Sequence, residues 1–211
     1  MTSLGLTLPR TLEDFSSKIP ALLLLQRMGY SYLNPEQALA ARGGKTSELI
    51  LRQVLVDVLS ERRFTWKGKE YPLSANAVAE IVRRLASPTL VDGLVNASET
   101  IYTHLTLGVT VTEFIDGQTA QVTIPVIDWE NSSNNKLHIT DEYEVLNSSG
   151  TGHRRPDVVC FVNGIPLAII EAKRPDPHNA HKDMLAEGIS QHIRNQKNDE
   201  IPALYAYAQL L

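Results

Sequence analysis

Hydrophobic residues recur at helical spacing through the first hundred positions. The pattern predicts helices over 11–28, 34–44 and 47–63, and a further helix that begins after a capping Ser74. In this last helix the apolar residues fall on one face, and they are Val78, Ile81, Val82 and Leu85. The first half of the chain is therefore expected to be mainly helical.

The pattern changes near residue 105, where β-branched residues begin to alternate with polar ones. The segments LGVTVTEFI, TAQVTIPVIDW and KLHITDEYEVL are typical of strands, and Asp116-Gly117 favours a tight turn between the first two. Loops are predicted over 132–136 and 147–155, and a helix over about 179–195. Helices followed by strands predict an α+β fold with a mainly helical N-terminal half.

The segment RRPDVVCFVNGIPLAIIEAKRP, residues 154–175, contains two apolar runs that meet at Asn163-Gly164. This dipeptide between apolar runs is a strong hairpin signal. Because both faces of each run are mostly apolar, the hairpin is expected to be a central pair of strands covered on both sides.

Charged residues stand at the outer ends of this hairpin, namely Asp157, Glu171 and Lys173. A buried carboxylate requires a compensating charge. A divalent metal ion is one candidate, and Lys173 or the neighbouring Arg154 and Arg155 are others. The residues alone leave open either a metal site or a structural cluster of ion pairs.

Strand register decides whether the three side chains share a face, because side chains alternate along a strand. A two-residue loop would pair Val162 with Ile165 and send Asp157 to the opposite face from Glu171. A three-residue loop with a left-handed Gly164 would bring the groups together. The predicted turn is therefore the bulged, three-residue one.

Together, the three groups match the requirements of metal-assisted phosphodiester cleavage. Magnesium prefers one or two carboxylates, which suits Asp157 and Glu171 with a strand carbonyl near Ala172. Lys173 can orient or deprotonate water and stabilise negative charge as a point cation.

Composition and charge limit the classes of protein to which the chain can belong. The formal charge of −4 gives no global signature of nucleic-acid binding, although a local basic patch can still contact phosphates. The single cysteine excludes an internal disulfide, and neither a membrane-spanning run nor a secretory signal is present, which predicts a cytoplasmic protein. Basic residues near the hairpin either follow DNA phosphates or form a solvated face; they are Arg154, Arg155, Arg174, Lys182, Arg194 and Lys197. The pair His178 and His181 is interpreted as solvated or phosphate-facing rather than metal-binding.

The Pro156-Asp157 dipeptide, followed after thirteen residues by Glu171-Ala172-Lys173, resembles the PD-(D/E)XK nuclease motif. The whole hairpin resembles the nuclease region at the front of the type I restriction enzyme R (motor) subunit, as do VIDWENSSNN upstream and ISQHIRNQKNDEIPALYAYAQLL downstream. The resemblance is close over residues 105–211 and loose before them.

The resemblance implies a restriction-endonuclease-like core, which is a mixed central sheet flanked by helices. In this core Asp157 and Glu171 bind Mg²⁺ and Lys173 is catalytic. Gln191 matches the glutamine of a Q-x-x-x-Y element that supports the site, but Asn195 stands in place of the tyrosine. Tyr205 and Tyr207 lie too far along the chain to replace that tyrosine by register. Relatives also carry an acidic residue on an early helix, for which the candidates are Glu13 and Glu48.

The expected organisation is a helical lobe over 1–104 packed on a nuclease core over 105–211, in a fragment that lacks the motor domains. The expected activity is Mg²⁺-dependent endonuclease cleavage of double-stranded DNA without local sequence specificity. This activity would belong to a type I site-specific deoxyribonuclease that contains methylation and specificity subunits. A non-catalytic docking or DNA-positioning domain is the alternative. No phosphate-binding loop occurs in these residues, so ATP use is expected only in the full-length protein.

Overall fold

A computed structural model of the chain describes residues 14–173 and 183–211. A π-helical turn, Asp14–Lys18, precedes the first α-helix, and a 3₁₀ turn, Ser132–Asn134, precedes β6. The α-helices of the described ranges are α1 (Ile19–Arg27), α2 (Pro35–Ala41), α3 (Arg52–Glu61), α4 (Ala75–Ala86), α5 (Leu94–Leu107), α6 (Met184–Asn195) and α7 (Pro202–Tyr205). The strands are β1 (Ser31–Tyr32), β2 (Arg63–Trp66), β3 (Lys69–Pro72), β4 (Val109–Ile115), β5 (Gln118–Ile124), β6 (Leu137–Asp141), β7 (Val145–Leu146), β8 (His153–Arg154), β9 (Val158–Val162) and β10 (Ile165–Ile170). The predicted α+β class is confirmed.

The central sheet has four strands in the order β1-β6-β9-β10. The β1 strand runs parallel to β6, whereas β6, β9 and β10 pair antiparallel, so the sheet is mixed. The prediction that both hairpin strands are central is only half right. Strand β9 has a neighbour on each side, but β10 is the outer strand of the described sheet and gains only an isolated bridge from Ala168 to Leu210.

Both faces of this sheet are covered, as the apolar runs predict. Val159, Phe161 and Ile169 contribute to the larger core, which extends through α3, α4, α5 and the β4–β5 hairpin. On the other face, a smaller cluster joins Leu22 of α1 to Cys160 and its neighbours. None of the helices in the described ranges has the length and apolar content that crossing a bilayer requires.

Several elements of the first half follow the sequence prediction. Asn34 caps α2 with a reciprocal side-chain and backbone arrangement, and Gly43 and Gly44 follow the helix with positive φ angles. Ser74 caps α4 by accepting a hydrogen bond from the backbone N–H of Ala77 at 3.1 Å.

The predicted helix over 47–63 is wrong at its start. Helix α3 begins at Arg52, five residues later, because the preceding apolar residues dock on the β9–β10 turn in an irregular conformation. The Leu51 backbone N–H donates to the Gly164 carbonyl at 2.7 Å, and Leu51 is fully buried. A β-carbon on Gly164 would lie 2.6 Å from the Leu51 carbonyl oxygen, so this close approach requires glycine.

Two elements escaped the sequence prediction. The β2–β3 hairpin has no fully buried residue in either strand, so it lacks the strong apolar alternation of a core strand. Helix α5 is rich in threonine, a residue that favours strands. In the structure three of its threonine hydroxyls donate to carbonyl groups four residues earlier; they are Thr100, Thr103 and Thr106.

The turn of the β9–β10 hairpin also differs from the prediction. It is a two-residue turn with Asn163 and Gly164 at φ angles of 52° and 84°, and it pairs Val162 with Ile165. The positive φ at Gly164 is confirmed, but the three-residue loop is wrong. A bulge at Leu167, between the paired residues Pro166 and Ala168, then shifts the register by one residue.

This bulge has the consequence that the three-residue loop was expected to have. Beyond it, Ile170 pairs with Val158, so continuing the same register places Glu171 opposite Asp157. Residues directly opposite each other in a sheet point to the same face. The one-residue register shift therefore occurs three residues after the turn rather than within it.

Candidate active site

The strand ends bring the predicted acids and the predicted lysine together. The Ala172 backbone N–H donates to Asp157 Oδ2 at 2.8 Å, which ties the end of β10 to the residue before β9. Lys173 Nζ lies 3.8 Å from Asp157 Oδ2 and 3.9 Å from Glu171 Oε2. The three groups therefore form one cluster.

Glu171 is the most deeply placed member of this cluster, because its side chain is only 1% exposed. Gln191 of α6 donates from Nε2 to Glu171 Oε2 at 2.6 Å, whereas Glu171 Oε1 is buried and receives no hydrogen bond from the described residues. Burial and then the negative charge of Asp157 raise the pKa of Glu171 to about 8, against the opposing effect of Lys173.

The donor set fits a hard divalent cation. Two carboxylates converge, and one carries a buried oxygen that lacks a donor, so a cation at this position would satisfy an atom that is costly to leave unpaired. Among the described residues no group of three or more His, Cys, Asp or Glu side chains is arranged to hold a metal. A site with two carboxylates is what Mg²⁺ accepts, since it retains several waters.

The position of Lys173 is fixed from two directions. Its ammonium group donates to the Ala172 carbonyl at 3.1 Å, the carbonyl that was considered as a further metal ligand. The hydroxyl of Ser17, in the turn before α1, donates to the Lys173 carbonyl at 2.9 Å. Sequence reasoning did not find Ser17, because a contact across 156 residues leaves no local signal.

Comparison with known proteins now adds to this geometry. The family described as the type I restriction enzyme R protein N terminus matches residues 11–211. The chain belongs to this family.

Similar full-length proteins carry names of the same kind. The chain is 28% identical over 209 residues to the putative type I restriction enzyme MjaIXP endonuclease subunit of Methanocaldococcus jannaschii, covering 94% of this chain and 18% of that protein. It is 27% identical over 192 residues to the type I restriction enzyme HindI endonuclease subunit of Haemophilus influenzae, covering 89% and 17%. The chain thus spans about a fifth of the length of these curated relatives.

Helix α6 supports the site of this R protein N terminus. Asp183 caps the helix through hydrogen bonds to the backbone N–H groups of Leu185 and Ala186, and Gly188 lies against the Lys173 side chain. Gln191, one turn further along, is the residue that reaches Glu171. The structure thus brings Gln191 into contact with Glu171, and its supporting role in the site stays a prediction.

The structure also brings Tyr205 to α6, by a route that helix register cannot provide. Helix α7 folds back so that the Tyr205 hydroxyl lies 3.1 Å from His192 Nδ1 and 3.4 Å from Asn195 Nδ2. Tyr207 instead donates to the Leu85 carbonyl in the larger core. His192 was not predicted, although its place next to Gln191 is a signal that could have indicated it.

The predicted basic residues have different surroundings. Arg154 is held by Glu200 at 2.5 and 2.6 Å, and Arg155 by Glu144 at 3.0 Å. Arg194 is exposed, forms no ion pair within the described ranges, and its charge acts on Glu171. Arg174 and Lys182 lie outside the described residues, as do His178 and His181.

The two candidates for an additional acidic ligand also remain predictions. Glu13 lies outside the described residues. Glu48 lies just before α3, and its carboxylate binds Arg52 at 2.5 and 2.9 Å rather than the acid pair.

Proposed function

We propose that this chain is the Mg²⁺-dependent DNA endonuclease part of a type I restriction enzyme. The observation that carries the proposal is the convergence of Asp157, Glu171 and Lys173 at the ends of β9 and β10. Membership in the R protein family supports the restriction role, and the relatives' names as endonuclease subunits support the reaction.

Asp157 and Glu171 are the residues that would hold the metal. When bound, Mg²⁺ supplies Lewis-acid charge to the phosphoryl oxygens. Glu171 must lose its proton to act as a ligand, and because its pKa is raised, the metal competes with a proton for this carboxylate at neutral pH. Gln191 favours the ionised form, because it donates a hydrogen bond to Glu171.

Lys173 performs the other part of the chemistry. Its ammonium group lies within 4 Å of both carboxylates, so a phosphate in front of the acid pair also meets this cation. There it orients the attacking water and stabilises the negative charge that grows on the phosphoryl group. The Ser17 and Ala172 contacts hold the lysine backbone in place while this occurs.

We further propose that recognition of a DNA sequence is left to other subunits. Phosphate contacts position a protein on DNA without reading bases. The exposed Arg194 near Glu171 is suited to a phosphate contact, whereas Arg154 and Arg155 would first have to leave their carboxylate partners. Methylation and specificity subunits would supply recognition, and the motor region of the full-length subunit would supply ATP-driven delivery of DNA.

The proposal is tested in the full-length subunit assembled with its partner subunits, on plasmid DNA that contains a recognition site. Asp157→Ala and Lys173→Ala are expected to abolish cleavage while ATP hydrolysis continues. Lys69→Ala, which removes an exposed lysine of β3, serves as the matched control. Undiminished cutting by both site variants would refute the catalytic assignment and leave a docking or DNA-positioning role.

A further inference from the structure

We infer that His192 is a substrate-positioning residue of this site, whose Nε2–H donates a hydrogen bond to the phosphate that is cleaved. The inference rests on the proposed nuclease function and adds to it a residue that neither the motif nor the relatives assign. It is based on the hydrogen bond between His192 and Tyr205, and on the second hydrogen bond that Tyr205 forms with Asn195.

The ring of His192 is fixed on one side. Its Nδ1 lies 3.1 Å from the Tyr205 hydroxyl, and the two rings pack edge to face with centroids 5.9 Å apart. Tyr205 is itself 96% buried within α7, with an exposed fraction of 4%. A ring held by a buried partner retains little freedom to turn, so its second nitrogen points in a defined direction.

The proposed role requires one tautomer of His192. With Asn195 Nδ2 donating to the Tyr205 oxygen at 3.4 Å, the Tyr205 hydroxyl has His192 Nδ1, at 3.1 Å, as an acceptor for its own proton. A neutral imidazole that accepts at Nδ1 carries its proton on Nε2. The His192 pKa is lowered, first by burial and then by the positive charge of Lys173, which keeps the ring neutral at physiological pH.

The second nitrogen is available to a ligand. His192 Nε2 forms no hydrogen bond within the described ranges and is not among their buried unpaired polar atoms. His192 follows Gly188 by one helical turn and is next to Gln191. A β-carbon on Gly188 would lie 3.9 Å from the Lys173 side chain, and Gln191 reaches Glu171, so His192 lies on the side of α6 that faces the cluster. A neutral N–H donor beside an ammonium group is complementary to a phosphate oxygen.

The alternative is that His192 serves only to pack against Tyr205. Two substitutions separate the roles, because the amide of asparagine corresponds to Nδ1 and that of glutamine extends to Nε2. If His192 only packs against Tyr205, His192→Asn should retain more cleavage activity, because its amide can still contact Tyr205. If His192 donates to the phosphate, His192→Gln should retain more activity, because its amide reaches the position of Nε2.

The first measurement is the imidazole nitrogen NMR spectrum of this chain, which reports the tautomer without any cleavage. The expected result is the Nε2–H form for His192, with a shift toward a mixture in Tyr205→Phe. A dominant Nδ1–H form would overturn the inference, because Nε2 would then be an acceptor facing a phosphate anion.

The second measurement is DNA cleavage by the assembled full-length enzyme. His192→Asn is expected to lower kcat by roughly tenfold or more, with a smaller change in KM, and His192→Gln to recover a substantial part of that loss. Wild-type rates in His192→Asn, or equal losses in both variants, would overturn the inference. Lys173→Ala separates this failure from failure of the proposed function, because full activity in that variant would refute the nuclease site itself.

Discussion

The two ends of the β9–β10 hairpin each bury a polar side chain, but they differ in whether its polar atoms have hydrogen-bond partners. At the turn, Asn163 is fully buried and all its hydrogen-bonding groups are used. Its Oδ1 accepts from the Lys136 N–H, and its Nδ2 donates to the Val126 carbonyl and to Asn135 Oδ1, each at 2.8 Å. At the open end, Glu171 is almost as deeply buried, yet one of its oxygens has no donor in the described ranges.

This difference distinguishes a structural polar site from a functional one. A buried polar group with every partner supplied rigidifies a fold. A buried carboxylate beside a second carboxylate is instead unstable in its charged form until a cation arrives, and such groups concentrate at functional sites. Substitutions at the two ends should therefore affect different properties of the same protein.

The largest expected effect is on metal affinity. Glu171→Gln keeps the shape of the side chain and an oxygen that can accept from Gln191, but it removes the charge. Affinity for Mg²⁺ or Mn²⁺, measured by calorimetric titration of this chain, is expected to fall by more than about 100-fold, since loss of a ligand should exceed the cost of losing an outer-shell contact. Glu36→Gln, an exposed change in α2, is the control. Unchanged affinity in Glu171→Gln would remove Glu171 from the metal site.

At the turn, a substitution is expected to lower the stability of the protein and to leave its metal affinity nearly unchanged. Asn163→Ala removes three hydrogen bonds, one of them to the buried Val126 carbonyl, and places alanine at a φ of 52°, so the free energy of unfolding should fall by roughly 3 kcal/mol. Metal affinity of the folded chain should remain within a factor of two or so of wild type. Denaturant unfolding followed by titration measures both quantities.

Asn163→Gly separates the two causes in that experiment, because glycine relieves the left-handed backbone but restores no hydrogen bond. It should recover only the smaller part of the stability. A full recovery in Asn163→Gly would show that backbone conformation, and not the polar network, governs this end of the hairpin.

The sequence predicted which residues meet at the open end better than it predicted the turn and register that bring them together. The residue types and spacing of Asp157, Glu171 and Lys173 indicated the cluster, and Asn163-Gly164 indicated the hairpin. The bulge at Leu167 could not be predicted, because IPLAII is apolar throughout and does not specify which residue leaves the register. A run with no polar alternation fits either register, so tertiary packing determines the register of β10 against β9.

Contacts between distant segments were equally invisible. Ser17 meets Lys173, and Tyr205 meets His192, only because separate helices pack around the strand ends. The start of α3 was also missed because of a contact between distant segments: the Leu51 backbone N–H donates a hydrogen bond to the hairpin turn. Motifs identify residues that share a local segment, whereas folding brings in those that do not.

The contrast between the two ends also predicts a pH dependence. Between the unfolded pKa of Glu171 and its folded value of about 8, the metal-free folded state holds a proton that the unfolded state has lost. Stability of the metal-free chain should therefore decline as pH rises from about 5 to about 8 and then level off, and Mn²⁺ affinity should rise about tenfold per pH unit below 8 before it also levels off. Unfolding in the presence of a chelator and titration at several pH values test both trends. Glu171→Gln should abolish them, and persistence of either trend in that variant would assign it to another group.

The smallest of these effects concerns the outer support of the acid pair. Gln191→Ala removes the hydrogen bond that Glu171 Oε2 receives from α6, so burial and Asp157 should raise the Glu171 pKa further. At pH 7 the metal affinity should fall several-fold, because more of the acid is protonated, whereas near pH 10 the affinity should approach that of wild type. Gln196→Ala, at the end of the same helix, controls for a general loosening of α6. An equal loss at both pH values would mean that Gln191 positions the carboxylate rather than adjusting its charge, and the contrast with the fully satisfied Asn163 would then be one of geometry rather than of electrostatics.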